Sequence, residues 1–372
     1  MRVVIAGGGT GGHLYPGIAV ARELQKLAGA TVTFAGTAAG IEAHVVPREG
    51  FELDVIRSAG LKGKSIAARL RGAVLVPMGI ADGWALLGRR RPDVVIGVGG
   101  YSSGPVVLAA VMRRIPTLVM EQNAMPGFTN RTLASVVDAA AVTWGETAKY
   151  FKGKAFVSGN PVRAEFLQTV EGTNAATEHN GGTRPARVLI FGGSQGAHAI
   201  NVAMVAAAPR LAADGGVDIT HQTGERDVEL VRDGYRDAGL PARVEPFLFA
   251  MDREMRRADL VVSRAGATTI AELTAAGRAA ILIPLPTATD DHQKKNAQVL
   301  ADAGAAELIE QKDLSGALLA ERVLGLARDP ARRQAIAEAA RRFARPDAAK
   351  VIVDRALALV RPGSGQSPGE RC

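Results

Sequence analysis

The chain has 372 residues, of which 47% are hydrophobic, 22% charged and only 4% aromatic, and its formal net charge is +8. That length exceeds one ordinary core and implies two domains. The scarcity of aromatics excludes a nucleic-acid binder built on stacked rings, and the single cysteine, Cys372, excludes an internal disulfide or a cysteine zinc site.

The first twelve residues after Met1 read RVVIAGGGTGGH. A strand-like apolar run enters a glycine loop directly, too short for the core of a signal peptide. With no apolar run long enough to cross a bilayer, the chain is expected to stay in the cytosol. The positive balance favours an anionic partner, and nucleic acid, anionic lipid and diphosphates all qualify on charge alone. The loop Gly7–His13 holds five glycines and a threonine and opens an α/β unit. It fits a plain tight turn, a dinucleotide fingerprint or a substrate loop. Against the dinucleotide reading, the next strand, Thr31–Ala35, is followed by Gly36 and Thr37 where a ribose-binding acid is required. His13 follows the last glycine. It suits a structural cap and a general base equally, since imidazole titrates near neutrality.

Residues 57–91 contain eight basic residues and one acid, Asp82. Among these charges Leu70, Val74, Leu75, Trp84 and Leu87 read as an apolar patch, and the mixture predicts docking on an anionic membrane. The alternative is an ordinary core helix with solvated ends. The strand Val94–Val98 leads into a second glycine loop, GVGGYSSGP (97–105), and Thr117–Met120 leads into EQNAMPGFTNR (121–131). Asn123 sits where such loops face a ligand, although a simple turn residue fits as well. Ala155–Val157 is a further strand. The polar stretch 171–186 has no periodicity and places an interdomain linker at 166–186.

Residues 187–198, RVLIFGGSQGAH, then repeat the opening motif, sharing Arg, Val, Ile, three glycines and the final histidine with residues 2–13. Two such openings half a chain apart predict two similar α/β domains with parallel sheets. Ser194 in this loop can donate to a phosphate oxygen at a helix start. The strand Leu260–Ser263 precedes small residues, Gly266–Thr269, that leave helix-start N–H groups open to an anion. Glu272 then lies one turn inside the helix, placed either to bind ribose hydroxyls or merely to favour the dipole. After the strand Ala280–Pro284, the cluster Asp290, Asp291, His292 and Gln293 reads as a hydrogen-bonding rim for a sugar. Its spacing is wrong for a metal site, and the chain has no Asp-x-Asp. No metal and no other cofactor is expected. The tail 363–372 reads as disordered.

GGGTGGHLYPGIAVA, GVGGYSSGP, EQNAMPGFTNR, GNPVR (159–163), GGSQGAHAIN, HQTG (221–224), SRAGATTIAEL and DDHQKKNA resemble, in order and over about residues 1–300, the MurG family. That family transfers N-acetylglucosamine (GlcNAc) from UDP-GlcNAc to undecaprenyl-pyrophosphoryl-MurNAc-pentapeptide. The resemblance implies an α/β fold of the GT-B class, two Rossmann-like doubly wound parallel-sheet domains facing a cleft. The first would span 1–165 and the second 187–344, with a C-terminal helix, about 345–362, returning to the first. It implies His13 as the base, Thr10, Gly11 and Gly12 near the sugar and diphosphate, and Asn123 on the sugar. Arg163 and Ser194 would hold the nucleotide's phosphates or nearby groups. Leu248, where the family tends to have isoleucine, would pair its backbone with uracil. Ala267, Thr268, Thr269, Ile270, Ala271 and Glu272 would wrap diphosphate and ribose, and Gln293 would read the sugar hydroxyls. The implied partners are UDP-GlcNAc, a polyprenyl-diphosphate-linked acceptor, an anionic membrane surface and a cell-wall synthesis complex, with no nucleic acid. The implied place of action is the cytoplasmic face of the inner membrane.

Overall fold

The computed structural model describes residues 1–58, 66–167, 184–193 and 195–360, leaving aside the side chains of 66–74 and 289. Most of the expected linker, the expected tail and Ser194 lie outside the described residues. The chain divides into two compact units. Unit 1 is Met1–Pro161 together with the chain from Asp347 onward, and unit 2 is Val162–Pro346.

Unit 1 carries β1 (Arg2–Gly7), β2 (Thr31–Gly36), β3 (Glu52–Val55), β4 (Val94–Gly99), β5 (Thr117–Glu121), β6 (Ala139–Val142) and β7 (Ala155–Val157). Their order is β3-β2-β1-β4-β5-β6-β7, and every pairing is parallel. Successive side chains of a strand point to opposite faces, so a strand buried on both faces must be apolar throughout. β1 follows that rule. Val3 and Ile5 pack with Leu14, Ile18 and Leu24 of the helix Gly11–Ala28, while Val4 and Ala6 pack with Leu86, Leu87, Val106 and Val107 on the other face. Ile352, Val353 and Ala356, from the helix Ala348–Val360, complete the first of these cores.

Unit 2 carries β8 (Ala186–Phe191), β9 (Val217–Gln222), β10 (Ala242–Glu245), β11 (Leu260–Ser263), β12 (Ala279–Leu282) and β13 (Glu307–Leu308). Their order is β10-β9-β8-β11-β12-β13, again parallel. In both sheets the winding reverses beside the first strand, between β1 and β4 and between β8 and β11. Open α/β sheets bind ligands at the carboxyl ends of the strands flanking such a reversal.

A polar chain runs through the core of unit 2. Asn201 donates Nδ2 to the Thr223 carbonyl at 2.9 Å and to Asp227 at 2.8 Å. Its Oδ1 therefore accepts from His221 Nε2 at 3.1 Å, and His221 Nδ1 accepts the Tyr235 hydroxyl at 2.7 Å. This commits His221 to the neutral Nε2–H tautomer, and burial pushes its pKa down to about 3. An unfolded histidine titrates near about 6.5. Between these values the unfolded chain binds a proton that the folded chain refuses. Stability present above the unfolded value is therefore lost as pH falls, by about 1.4 kcal/mol per pH unit. His221→Gln keeps a donor and an acceptor but cannot titrate. In urea denaturation followed by far-ultraviolet circular dichroism, the wild type should lose about 2 kcal/mol more than this variant between pH 7 and pH 5. Equal losses would refute the assignment.

Candidate active site

The reversal in unit 1 brings two glycine loops side by side. Gly7 pairs with Gly99 across a register shift, and Gly8 N–H donates to the Gly99 carbonyl at 3.4 Å. Gly7 and Gly99 have φ of 139° and 97°, a region closed to most side chains. Thr10 is the extended, exposed residue before the helix Gly11–Ala28, and its hydroxyl does not cap that helix. Gly11, Gly12 and His13 follow, half-buried.

His13 Nδ1 lies 3.0 Å from Gln122 Oε1. The Gln122 amide has no freedom to turn, because its Nε2 donates to the Val98 carbonyl at 3.0 Å and the residue is buried. Its Oε1 must then face the imidazole as an acceptor, which puts the proton of neutral His13 on Nδ1. The lone pair is left on Nε2, which has no protein partner among the described residues. Gln122, quoted above only within the EQNAMPGFTNR motif, is the residue that orients the His13 ring. The signal was present, since it stands between Glu121 and Asn123 at the end of β5.

Glu121 shapes the loop behind β5. One carboxylate oxygen accepts from Asn123 N at 3.0 Å and Asn123 Nδ2 at 3.3 Å. The other accepts from Gly127 N at 3.0 Å and Asn130 Nδ2 at 2.8 Å. Asn123 is thus half-buried with its amide oriented by the acid two residues before it.

In unit 2 Gly192 and Gly193 leave β8 beside the end of β9. Gln222 of the HQTG motif ties them down by donating Nε2 to the Gly193 carbonyl at 2.9 Å. Its Oε1 accepts the backbone N–H of buried Leu248 at 2.9 Å. The Leu248 N–H is therefore already committed within the protein. Beyond β11 the helix Ala267–Ala276 begins after extended Gly266, which carries no side chain to cap it. Such a start attracts anions through both its donors and its dipole. Ala267, Ile270 and Glu272 are buried, while Thr268, Thr269 and Ala271 are half-buried. Arg264 braces this turn from beneath. Its guanidinium donates to the Ile283 and Pro284 carbonyls at 3.0 and 3.1 Å and to Gln311 at 2.7 Å.

Arg163 and Glu272, assigned separately from sequence, are brought together. Arg163 donates Nε and Nη2 to the same oxygen, Glu272 Oε1, at 3.0 and 2.8 Å, while its guanidinium covers the Phe166 ring. Burial raises the Glu272 pKa, and the charge and hydrogen bonds of Arg163 oppose that rise. Oε2 carries no hydrogen bond among the described residues. Gln293 accepts the Leu285 N–H at 3.0 Å through Oε1, and Asp290 and Asp291 before it hold φ of 55° and 52°. Among the described residues no group of three His, Cys, Asp or Glu could hold a metal ion.

The segment 57–91 departs from its reading in two ways. Leu87 is 1% exposed and belongs to the core, so it is no part of a surface patch. The basic excess is also partly neutralised, by acids from neighbouring strands as well as by Asp82. Arg57 pairs with Asp82 at 2.6 Å, and Arg90 pairs with Glu52 at 2.6 Å and Asp54 at 2.7 Å. Arg89 approaches Asp54 at 3.8 Å. Trp84 is 42% exposed beneath the guanidinium of Arg113, and Arg91 is exposed. Lys62 and Lys64 and the side chains of Arg69, Leu70, Arg71 and Val74 lie outside the described residues. No described helix is long and apolar enough to cross a membrane.

Residues 3–142 match the model of the glycosyltransferase family 28 N-terminal domain, and residues 187–352 match that of its C-terminal domain. A protein of Anaeromyxobacter sp. (strain K) is 47% identical over 380 residues, covering 100% of this chain and 98% of its own length. One from Geobacter sulfurreducens is 47% identical, covering 97% and 99%. Both are named UDP-N-acetylglucosamine--N-acetylmuramyl-(pentapeptide) pyrophosphoryl-undecaprenol N-acetylglucosamine transferase. The crystal structure of MurG from Acinetobacter baumannii superposes with a TM-score of 0.78 at 31% identity, covering 96% of this chain and 99% of that one. The calicheamicin glycosyltransferase CalG4, at 15% identity and a TM-score of 0.69, shares the fold. With its two parallel-sheet α/β units of the GT-B class, the chain belongs to the MurG family within glycosyltransferase family 28.

Proposed function

We propose that the chain transfers GlcNAc from UDP-GlcNAc to the 4-hydroxyl of MurNAc in undecaprenyl-pyrophosphoryl-MurNAc-pentapeptide (lipid I). The products are lipid II, the peptidoglycan monomer, and UDP. The observation that carries this reading is the full-length match to relatives whose names specify both donor and acceptor. The site chemistry supports it.

In unit 2 the start of Ala267–Ala276 is the seat for the donor diphosphate. It stabilises the charge that develops as UDP departs without calling for a metal. Arg163 occupies one oxygen of Glu272, which leaves the other to accept from the ribose hydroxyls. Because the Leu248 N–H is held by Gln222, the uracil edge meets this backbone through the Leu248 carbonyl. Gln293 and Asn123 read sugar hydroxyls. In unit 1, Gln122 presents His13 with Nε2 unprotonated, ready to take a proton. As the acceptor oxygen bonds to the anomeric carbon from the face opposite UDP, its proton passes to Nε2. The carbon–phosphate oxygen bond breaks, UDP carries away the electron pair, and the configuration inverts.

The polyprenyl chain of the acceptor stays in the bilayer, so the enzyme works as a peripheral protein at the cytoplasmic face of the inner membrane. The surface around Trp84 and Arg91 is the part of segment 57–91 suited to dock it.

Three outcomes test this reading. Hydrogen bonds to a charged group contribute about 1.5–3 kcal/mol, so Glu272→Ala should raise the donor KM by roughly tenfold to a hundredfold in a folded protein. An unchanged KM would sink the ribose assignment. Loss of a general base costs on the order of 100- to 10,000-fold, so His13→Ala should lower kcat by that factor with little change in donor binding. A fall below about tenfold, accompanied by collapse of donor affinity, would make His13 a binding residue instead. Finally, co-sedimentation with phosphatidylglycerol vesicles should weaken with salt and with the pair Trp84→Ser and Arg91→Glu, at about 1 kcal/mol for the charge. Equal binding to phosphatidylcholine vesicles, insensitive to both changes, would refute electrostatic docking. Arg89 and Arg90 are left intact in this test because their contacts with Asp54 tie the helix to β3.

A further inference from the structure

Glu42 is 0% exposed, and no cation pairs with it among the described residues. It opens the short helix Glu42–Arg48 and points back beneath the first glycine loop. Oε2 accepts the Gly9 N–H at 2.7 Å. Oε1 accepts the Thr37 N–H at 2.9 Å and the Thr37 hydroxyl at 3.0 Å. The cavity around the carboxylate is made of glycines. A Cβ on Gly8 would stand 2.5 Å from Oε2, one on Gly36 would stand 2.5 Å from Cγ, and one on Gly40 would also collide with the carboxylate. A glycine loop of this kind is an anion nest, and in dinucleotide-binding proteins a phosphate fills it. Here a side chain of the same chain fills it.

We propose that Glu42 is a positioning residue for the transfer reaction, a buried carboxyl group that locks Gly9 and so fixes the segment Thr10–His13 that presents the base. The proposal rests on the reading of His13 given above. The chain from Gly9 to His13 is short, and Thr10 enters the helix without a side-chain cap. Beside the Gly8 N–H bond to Gly99, the Gly9 N–H bond is therefore the fixed point nearest His13 on its strand side, as Gln122 is on the ring side. A phosphate has no room in the nest while the carboxylate occupies it.

The test uses Glu42→Gln and Glu42→Ala in the full chain, with thermal melts to establish that each folds. In Glu42→Gln one amide N–H would face a backbone N–H. The expected result is a kcat at least about tenfold lower with donor KM within about threefold. In Glu42→Ala, kcat should fall further and recover in part on adding formate at constant ionic strength, with chloride as the control. Amide exchange of residues 7–13 in the free protein should accelerate in both variants. That last readout needs no substrate, so it decides the role of Glu42 even if wild-type protein fails to transfer GlcNAc and the assigned reaction falls. A wild-type kcat in folded Glu42→Gln overturns the proposal. So does unchanged exchange of residues 7–13, and so does a loss that formate leaves untouched and that tracks only the loss of folded protein.

Discussion

Where β1 and β4 part, the backbone of Gly7 lies against that of Gly99 and the next residues must turn away from each other. A parallel sheet wound in both directions from its first strand has to open there. The gap is lined by backbone because a side chain on Gly7 would run into Gly99 and Val98, and one on Gly99 would run into the His13 ring. That last contact links fold to chemistry. The imidazole is packed on the bare backbone of the second loop, and Gln122, from the end of the next strand, orients it. Unit 2 repeats the arrangement with β8 and β11, and the start of the helix Ala267–Ala276 falls at the same topological place.

Three buried glutamates hold these loops, each compensated differently. Glu121 is satisfied by backbone and amide donors from its own loop, and Glu42 by the backbone of two neighbouring loops and a hydroxyl. Glu272 alone has a guanidinium. A buried carboxylate without hydrogen bonds would cost several kcal/mol or give up its charge. The arrangement therefore persists only while the loops keep the conformations that aim their N–H groups inward. Glu272 differs because one of its oxygens remains open, which is what a residue that must meet a ligand needs and a purely structural one does not.

The sheets were legible in the sequence because strands buried on both faces are apolar runs ended by glycine. Val94–Val98 and Leu260–Ser263 are found in the structure within a residue of their predicted limits. The repeat of residues 2–13 at 187–198 announced the doubling of the fold, and both copies are strand–loop–helix units. Less visible were partnerships between residues far apart in the chain. Nothing near Arg163 signals that Glu272, more than a hundred residues on, shares its charge. Gln122 looks like any loop amide until Val98 is placed beside it. The segment 57–91 misled for the same reason. Besides Asp82, its acids are Glu52 and Asp54 on β3, outside the segment, and Leu87 faces inward because the helix that carries it packs on the helix Ser103–Met112.

The two copies of the opening motif end in histidine, yet their partners differ in kind. His13 faces Gln122, a neutral amide fixed by Val98, whereas His198 faces the carboxylate of Asp227 at 2.9 Å. Burial works to raise the Asp227 pKa, but hydrogen bonds from Asn201 and His198 outweigh it and hold the carboxyl below its usual range. Asp227 is therefore an anion at neutral pH. A carboxylate holds the imidazole through a charge-assisted hydrogen bond, whereas an amide orients the ring and adds no charge. Asp227 also anchors Asn201 and, through it, the buried His221, so its bond to His198 belongs to the scaffold of unit 2. The repeated motif places the same residue twice at the mouth of a glycine loop. The partner sets the two histidines apart, and it lies on a distant strand or turn that the repeat itself does not contain.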